Sequence, residues 1–160
     1  MRHWLFKSEP ETYGIDHLRK DKTTWWEGVR NYQARNFMTQ DMNVGDMVLF
    51  YHSNAEPPGI AGLATVSAVA APDKTALDKK SEYYDPKATR EKPIWMCVQI
   101  KFLEKFERFV PLEEIKQTES LSEMLVLKKG QRLSVQPVEK KHYDTLVALA
   151  KNKFWTGVHM

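Results

Sequence analysis

Three short segments, residues 4–10, 26–36 and 50–54, combine aromatic rings with hydrogen-bonding or charged side chains. Residues 26–36 alone hold two arginines and three amide side chains. A flat heterocycle needs a stacking surface, which an aromatic ring supplies at roughly 1–3 kcal/mol per base. Its polar edge needs amide, hydroxyl or carboxylate groups, and a phosphate needs Arg or Lys. The three segments therefore indicate a site that binds a nucleobase.

The aromatic rings also have a structural interpretation. Trp4, Phe6 and Phe50 lie within apolar runs, so we expect them in the core. Trp26 has charged neighbours and a glycine close by, and its pattern leaves core and site equally open. Tyr83 and Tyr84, in a polar stretch, fit either a site or a surface anchor. The pattern alone leaves nucleobase binding as one interpretation among several.

The charged candidates have structural alternatives as well. Arg30 and Arg35 could form salt bridges with Glu27 or Asp41 instead of binding phosphate. The net charge of the chain is +3, which permits a polyanionic partner but does not require one.

The templates of common catalytic and metal chemistry are missing from the sequence. The 7 glycines are scattered, and the 5 histidines include no pair at metal-ligand spacing. Ser8, Ser53 and Ser134 lack a glycine-flanked elbow. Glu113 and Glu114 lie on a predicted helix and are expected to be solvated. We therefore predict no metal, no cofactor and a binding role rather than catalysis.

The chain's size and composition favour one globular domain over residues 1–160. Hydrophobic residues make up 42% of the 160 residues, which is an ordinary balance for a packed core. The single cysteine, Cys97, excludes an internal disulfide and is expected to lie buried in a strand. No signal peptide or membrane-spanning run is recognised, so we expect a cytoplasmic monomer that does not enter a membrane.

Five or six strands and three or four helices are predicted. The predicted strands cover residues 3–7, 47–52, 60–70, 94–102 and 133–137, with 47–52 and 60–70 forming a hairpin. The predicted helices cover residues 15–20, 31–40, 111–116 and the C-terminal stretch around 143–150, and Asn31 is a plausible N-cap. Residues 25–28 and 72–93 are predicted to be loops. This order of elements favours an α+β fold, a small mixed or antiparallel β-barrel with flanking α-helices.

The sequence closely resembles the EVE family, a branch of the PUA-like superfamily. The stretches that carry the resemblance span nearly the whole chain in order: WLFKSEP at 4–10, WEGVRNYQARN at 26–36, VGD at 44–46, FYHS at 50–53, YDPKA at 84–88 and GQRLSVQP at 130–137. Glu27 stands where Asp is more usual. The resemblance implies a PUA-like barrel, kinship to YTH domains with their aromatic cage, and binding of modified bases such as 5-methylcytosine or its oxidised forms in DNA or RNA.

The resemblance and the chemistry of the segments together assign the site residues. Trp26 matches a cage tryptophan and would stack on the base, with Tyr84 or Tyr32 closing the cage. Ser8 and Glu9 lie where the YTH first strand ends at the base edge. Of the remaining candidates, Asn31, His52 and Ser53 would bind the base edge, and Lys7, Arg30 and Arg35 would bind phosphates.

Two other functions stay open from the sequence. The same pocket could take a free nucleoside or another small molecule, and that binding would not weaken as salt rises. An RNA-modifying or hydrolytic enzyme would need Glu9 and His52 to meet as an acid/base pair.

Overall fold

A six-stranded mixed sheet forms the framework of the protein, and from edge to edge its strands cover residues 23–25, 96–111, 59–72, 47–52, 3–8 and 135–138. The computed structural model describes residues 1–130 and 132–151, which leaves Gln131 of the last resembling stretch outside the described residues. The strands are β1 (His3–Ser8), β2 (Thr23–Trp25), β3 (Met47–His52), β4 (Gly59–Pro72), β5 (Met96–Pro111) and β6 (Val135–Val138). The α-helices are α1 (Pro10–Tyr13), α2 (Ile15–Asp21), α3 (Tyr32–Asn36), α4 (Leu112–Gln117) and α5 (Lys140–Ala150).

The sheet confirms the predicted α+β class with mixed strand directions. Strands β1 and β3 run parallel, and the other pairings between neighbours are antiparallel. The predicted β3–β4 hairpin is present, with Leu49 opposite Leu63. Closure of this sheet into a barrel stays a prediction.

Three local predictions need correction. Trp25 belongs to strand β2 rather than to a loop, because it pairs with Gln99 of the long strand β5. The single helix predicted over residues 31–40 is instead α3 followed by a wider helical turn at Phe37–Asp41. Ile94 lies before β5 in a left-handed conformation with φ 60°, so it does not share the strand's face.

Asn31 is confirmed as an N-cap, since its side chain accepts a hydrogen bond from the Ala34 N–H at 3.0 Å.

Alternating side chains of β1 feed two hydrophobic clusters on opposite faces of the sheet. Trp4 and Phe6 enter one cluster together with Phe50, while Leu5 and Leu49 enter the other. All five are almost fully buried, which confirms the core positions predicted for Trp4, Phe6 and Phe50. Because burial of one large apolar side chain contributes roughly 1.5–3 kcal/mol, both faces of the central strands are strongly held.

A buried carboxylate anchors the start of β1. Asp46 is 2% exposed and accepts hydrogen bonds from the backbone N–H of Arg2, the indole N–H of Trp4 and the backbone N–H of Asn43, each at 3.0 Å. Burial by itself raises the pKa of Asp46, but these hydrogen bonds and the N-terminal charge outweigh it and lower the pKa below its ordinary value. The turn before β3 is therefore locked to the neighbouring parallel strand.

One predicted surface carboxylate lies in the interior. Glu114 was expected to be solvated, but its side chain is fully buried. Its two carboxylate oxygens accept hydrogen bonds from the two terminal nitrogens of Arg108 at 2.8 and 2.9 Å. A terminal nitrogen of Arg108 also donates to the backbone oxygen of Leu149. The periodicity of α4 could not reveal this, because the partner lies on β5.

We predict that Asp46→Asn lowers the free energy of unfolding at pH 7 by about 2–3 kcal/mol, since a charged acceptor of buried donors is lost. The folded-state pKa of Asp46 is depressed, so its contribution is present above the unfolded value near 3.8 and disappears as pH falls through the folded value. Urea denaturation at pH 7 and near pH 3 should show the gap between wild type and variant closing at acid pH.

Asp41→Asn is the matched control for this experiment. Asp41 pairs with Arg2 at 3.4 Å on the surface, where both side chains are exposed, so the change should stay below about 1 kcal/mol at either pH. A gap that stayed constant with pH for Asp46→Asn would contradict the argument.

Candidate functional site

A cavity of about 820 Å³ lies where β1 ends, between residues 24–31 and the loop that carries Tyr83. This volume falls in the range of roughly 300–1,000 Å³ that is typical of small-ligand sites. Aromatic, hydroxyl and charged side chains line it together. Its lining residues are Lys7, Ser8, Glu9, Thr12, Tyr13, Thr24, Trp25, Trp26, Glu27, Gly28, Val29, Arg30, Asn31, Ser53, Glu82, Tyr83, Arg132 and Ser134.

The structure brings most of the sequence-predicted site residues to this cavity. Seven of the eleven candidates line it: Lys7, Ser8, Glu9, Trp26, Arg30, Asn31 and Ser53. The other four, Tyr32, Arg35, His52 and Tyr84, do not belong to the lining. A role in base binding for these four stays a prediction that this cavity does not support.

Trp26 combines the two roles that its sequence pattern left open. The indole is 8% exposed and packs against Phe6 and Phe50, with ring centroids 5.3 and 5.6 Å away. Tyr13 meets it edge-on at 6.4 Å. The indole is therefore part of the core and at the same time forms the floor of the cavity. The rings with more open surface around the cavity are Trp25, 38% exposed, and Tyr83, 36% exposed.

Arg30 is tied into the protein by all five of its N–H groups. They donate to the backbone oxygen of Tyr83 twice, to the backbone oxygen of Val29, to Asp73 Oδ2 and to Thr75 Oγ1, at 2.8–3.1 Å. The sequence left open a salt bridge of Arg30 with Glu27 or Asp41, and the structure has one with Asp73 at 3.0 Å instead. A guanidinium with every donor engaged positions the cavity wall and has no free N–H for a phosphate.

Asp73 is the buried partner that organises this wall. Its side chain is fully buried and accepts hydrogen bonds from the Gly28 N–H at 2.8 Å and the Thr75 hydroxyl at 2.5 Å as well as from Arg30. Burial raises the pKa of Asp73, yet the hydrogen bonds from Thr75, Gly28 and Arg30 outweigh it and lower the pKa below its ordinary value. The carboxylate is thus held ionised between two segments far apart in sequence.

Tyr83 lies directly against the backbone of Gly28. Gly28 has φ +87°, and a Cβ built there would be 2.8 Å from the Tyr83 ring. Glycine is therefore required at this position for two reasons, the left-handed backbone and the ring above it. The tyrosine that borders the cavity is Tyr83, whereas the sequence favoured its neighbour Tyr84.

The polar groups of the cavity come from the ends of two parallel strands. Glu9 follows β1 and accepts a hydrogen bond from the Asn54 side chain, beyond β3, at 2.8 Å. The Ser53 N–H donates to the Ser8 backbone oxygen at 2.9 Å, which leaves both hydroxyls at this edge. Burial lowers the pKa of the Lys7 ammonium below its usual value, because the charged form loses water.

His52 is held away from the cavity by a structural hydrogen bond. Its Nε2 accepts from the Ile15 N–H at 3.1 Å, so this nitrogen is unprotonated in the fold. Burial lowers the pKa of His52, in agreement with a neutral ring. Among the described residues no hydrogen bond joins His52 to Glu9, the two groups that the enzymatic alternative requires.

Several lining residues carried no individual prediction from the sequence. Arg132 and Ser134, which precede β6, reach the cavity from the far end of the chain. Tyr13 reaches it from α1, and Trp25 from β2. The only signal for the first pair was the resembling stretch at residues 130–137, which could not say which side chains point to the cavity.

The described residues hold no group of three or more His, Cys, Asp or Glu side chains arranged to bind a metal ion. Within the same part of the chain, no helix has the length and apolar character needed to cross a membrane.

Comparisons with known proteins give close relatives over nearly the full length. A model of the EVE domain matches residues 2–149. Thymocyte nuclear protein 1 of Gallus gallus is 39% identical, over 94% of this chain and 69% of the relative. A structure of a hypothetical protein from Leishmania major superimposes with TM-score 0.90 at 48% identity, covering 94% of this chain and 95% of that one. Human THYN1 protein in complex with DNA containing 5-methylcytosine superimposes with TM-score 0.89 at 37% identity, covering 96% and 99%.

We predict that Gly28→Ala is more destabilising than Gly45→Ala. Both glycines have left-handed φ, +87° and +96°, so each substitution should cost about 1 kcal/mol for the backbone alone. Nothing lies within 4 Å of a Cβ at Gly45, whereas a Cβ at Gly28 collides with the Tyr83 ring. Urea denaturation of the two variants measures the additional cost of displacing Tyr83.

Equal destabilisation by the two alanines would mean that the Tyr83 loop yields freely. It would then not be a fixed wall of the cavity.

Proposed function

The chain belongs to the EVE domain family, and on this basis we propose that it binds a modified nucleobase in DNA or RNA. The base would be 5-methylcytosine or one of its oxidised forms, presented in a single strand or flipped out of a duplex. The observation that carries the proposal is the cavity of about 820 Å³, in which aromatic rings and the polar ends of two strands face one space. The relative bound to 5-methylcytosine-containing DNA supports the choice of base.

The rings of the cavity suit a planar ligand. Trp26 forms the floor, and Tyr83 offers a partly exposed ring at the rim. A base that entered between them would contact the indole and stack on the phenol ring, which is worth roughly 1–3 kcal/mol per base. Since extraction of a base from a duplex costs a few kcal/mol, single strands should bind more tightly than duplexes.

The polar edge of the base would face the ends of β1 and β3. The Glu9 carboxylate has one oxygen engaged by Asn54, and its other oxygen can accept from an exocyclic amino group. Ser8 and Ser53 hydroxyls can donate or accept beside it. The Asn31 side-chain oxygen already accepts one hydrogen bond as the cap of α3, while its amide nitrogen can donate to the ligand.

Phosphate contacts fall to Lys7 and Arg132 in this arrangement. Both line the cavity, whereas the donors of Arg30 are used within the protein. The three acidic lining residues, Glu9, Glu27 and Glu82, equal in number its three cations, Lys7, Arg30 and Arg132, so the cavity suits a neutral base better than a phosphate.

The protein acts as a binding module and not as an enzyme in this proposal. The free nitrogen that a general base would need on His52 is occupied by the Ile15 N–H, and His52 is not part of the cavity lining. Recovery of unchanged oligonucleotide after prolonged incubation, checked by mass spectrometry, is the expected result. Appearance of a product would show catalysis instead.

We predict that a single-stranded oligonucleotide with one 5-methylcytosine binds roughly 4- to 5-fold more tightly than the same oligonucleotide with cytosine. This factor follows from burial of one methyl group, about 0.8–1 kcal/mol. Fluorescence anisotropy with labelled oligonucleotides measures it. Equal affinity for the two oligonucleotides would show that the protein does not recognise the methyl group. If neither oligonucleotide bound, the proposed function would be overturned.

We predict that Tyr83→Ala weakens binding of the methylated oligonucleotide roughly 5- to 150-fold, the cost of one lost stacking contact. Tyr84→Ala is the matched control, because Tyr84 is adjacent, equally exposed at 36% and not part of the lining. Trp26→Ala is a poor test, since loss of an indole packed on Phe6 and Phe50 would cost about 3–5 kcal/mol of stability. The opposite ranking of the two tyrosine variants would move the closing ring to Tyr84.

We predict that binding weakens as salt rises, and that Lys7→Gln and Arg132→Gln each reduce the slope of log affinity against log salt by about 1. Lys116→Gln, at an exposed position on α4 and outside the cavity lining, should leave the slope nearly unchanged. Affinity for the free nucleoside equal to that for the oligonucleotide, without salt dependence, would instead identify a small-molecule binder.

A further inference from the structure

An exposed aromatic platform lies beside the cavity and is not used by the base-binding arrangement. Tyr32 is 58% exposed, the largest exposed fraction of any aromatic residue in the described chain. It follows Asn31, which lines the cavity, and it begins α3. Its ring stacks on Trp95 with centroids 4.8 Å apart and planes inclined by 23°. Tyr32 is thus fixed at the surface although most of its side chain stays in water.

The parts that hold this platform are themselves fixed. The Trp95 indole is 5% exposed and donates its N–H to Asp85 at 2.8 Å. The Arg30 guanidinium lies 5.2 Å from the Trp95 ring centroid and 5.6 Å from that of Tyr83. A continuous set of contacts therefore runs from the cavity rim at Tyr83, through Arg30 and Trp95, to Tyr32.

Arg35 adds a cation next to the exposed ring. Its guanidinium carbon is 4.8 Å from the Tyr32 ring centroid. Three of its N–H groups donate to Asn36 Oδ1 and to the Ile94 backbone oxygen, at 2.9–3.1 Å. A guanidinium has five N–H groups, so two of them have no acceptor among the described residues and can donate to a ligand. Arg35 differs in this respect from Arg30, whose five are all engaged.

An exposed aromatic ring next to a guanidinium with unused N–H groups has the chemistry to bind one nucleotide. The base can stack on the ring, and its phosphate can accept hydrogen bonds from the guanidinium. An acidic partner protein would not need an exposed aromatic ring next to the cation, so a nucleotide suits the pair better.

We propose that Tyr32 and Arg35 form a second subsite, which holds a nucleotide flanking the base in the cavity. The subsite rests on the proposed function, because the flanking nucleotide belongs to the same strand as the modified base. The protein would then recognise a short stretch of nucleic acid, with the modified base inside the cavity and a neighbour stacked outside it. The outer stack accepts any base, since every base has a π-face.

The test compares two ligands on each variant: 5-methyl-2′-deoxycytidine monophosphate and a single-stranded oligonucleotide with one central 5-methylcytosine. For wild type we expect the oligonucleotide to bind more tightly than the monophosphate. Tyr32→Leu should weaken oligonucleotide binding roughly 5- to 150-fold, since the aliphatic side chain lacks an aromatic face. Its affinity for the monophosphate should change less than twofold, and Tyr32→Phe should retain the affinity for the oligonucleotide.

Leu103→Ala is the matched control, because Leu103 is another exposed hydrophobic residue, 44% exposed, on β5 and outside the cavity lining. Arg35→Gln should reduce the salt slope for the oligonucleotide by about 1 and leave that for the monophosphate unchanged.

Each other result overturns the subsite. Unchanged oligonucleotide binding by Tyr32→Leu would show that the ring only covers Trp95. Equal losses for both ligands would show that Tyr32 acts by shaping the cavity. If the wild type bound neither ligand, the proposed function itself would be overturned. If the wild type bound both ligands and Tyr32→Leu bound them equally well, only the subsite would be overturned.

Discussion

The buried ion pair between Asp73 and Arg30 is the interaction on which the cavity depends. A carboxylate removed from water is stable only if it is paired and hydrogen-bonded, and Asp73 meets this requirement through Arg30, Thr75 and the Gly28 N–H. The same guanidinium holds the backbone of Tyr83 by two hydrogen bonds. One charge pair thus joins the segment after β2 to the long loop between β4 and β5, and both pieces contribute to the cavity wall.

The second constraint is the parallel pairing of β1 with β3. In this register Ser8 lies opposite His52, so both strands end at the same edge of the sheet. The polar residues that follow each strand must then meet, as the hydrogen bond from Asn54 to Glu9 shows. Inward-facing residues of the same strands fill the core, and this places a polar site directly beyond rigid, buried strands. Such a rigid support fits the proposed site, which would distinguish ligands by one methyl group.

Each arginine of the segment 26–36 has a role set by its unused donors. Arg30 and Arg35 occur five positions apart in similar surroundings of the sequence, but one has all N–H groups engaged and the other has three. The first therefore supports the architecture, and the second can meet a ligand. The aromatic rings divide in the same way, because Trp26 is committed to the core, while Tyr83 and Tyr32 keep open surface.

The sequence by itself determined the features that depend on local periodicity and local hydrogen bonding. The strand Met47–His52, the hairpin that follows it, the core positions of Trp4 and Phe50, and the Asn31 cap could all be predicted, since neighbours in the chain decide them. Seven of the eleven candidate site residues line one cavity, because strand ends and the resembling stretches mark them, and their role in binding stays a prediction.

Tertiary structure alone decided which of two similar residues, such as Tyr83 and Tyr84, lines the cavity. It also decided with which residue each charged side chain forms an ion pair. Tyr83 and Tyr84 are indistinguishable in composition, and only the approach of the ring to Gly28 separates them. Arg30 pairs with Asp73, 43 residues away, and not with Glu27 in its own segment. Glu114 pairs with Arg108, which lies on another element. The physical reason is that these choices depend on desolvation and on distances through space, and neither is encoded in the spacing of residues along the chain.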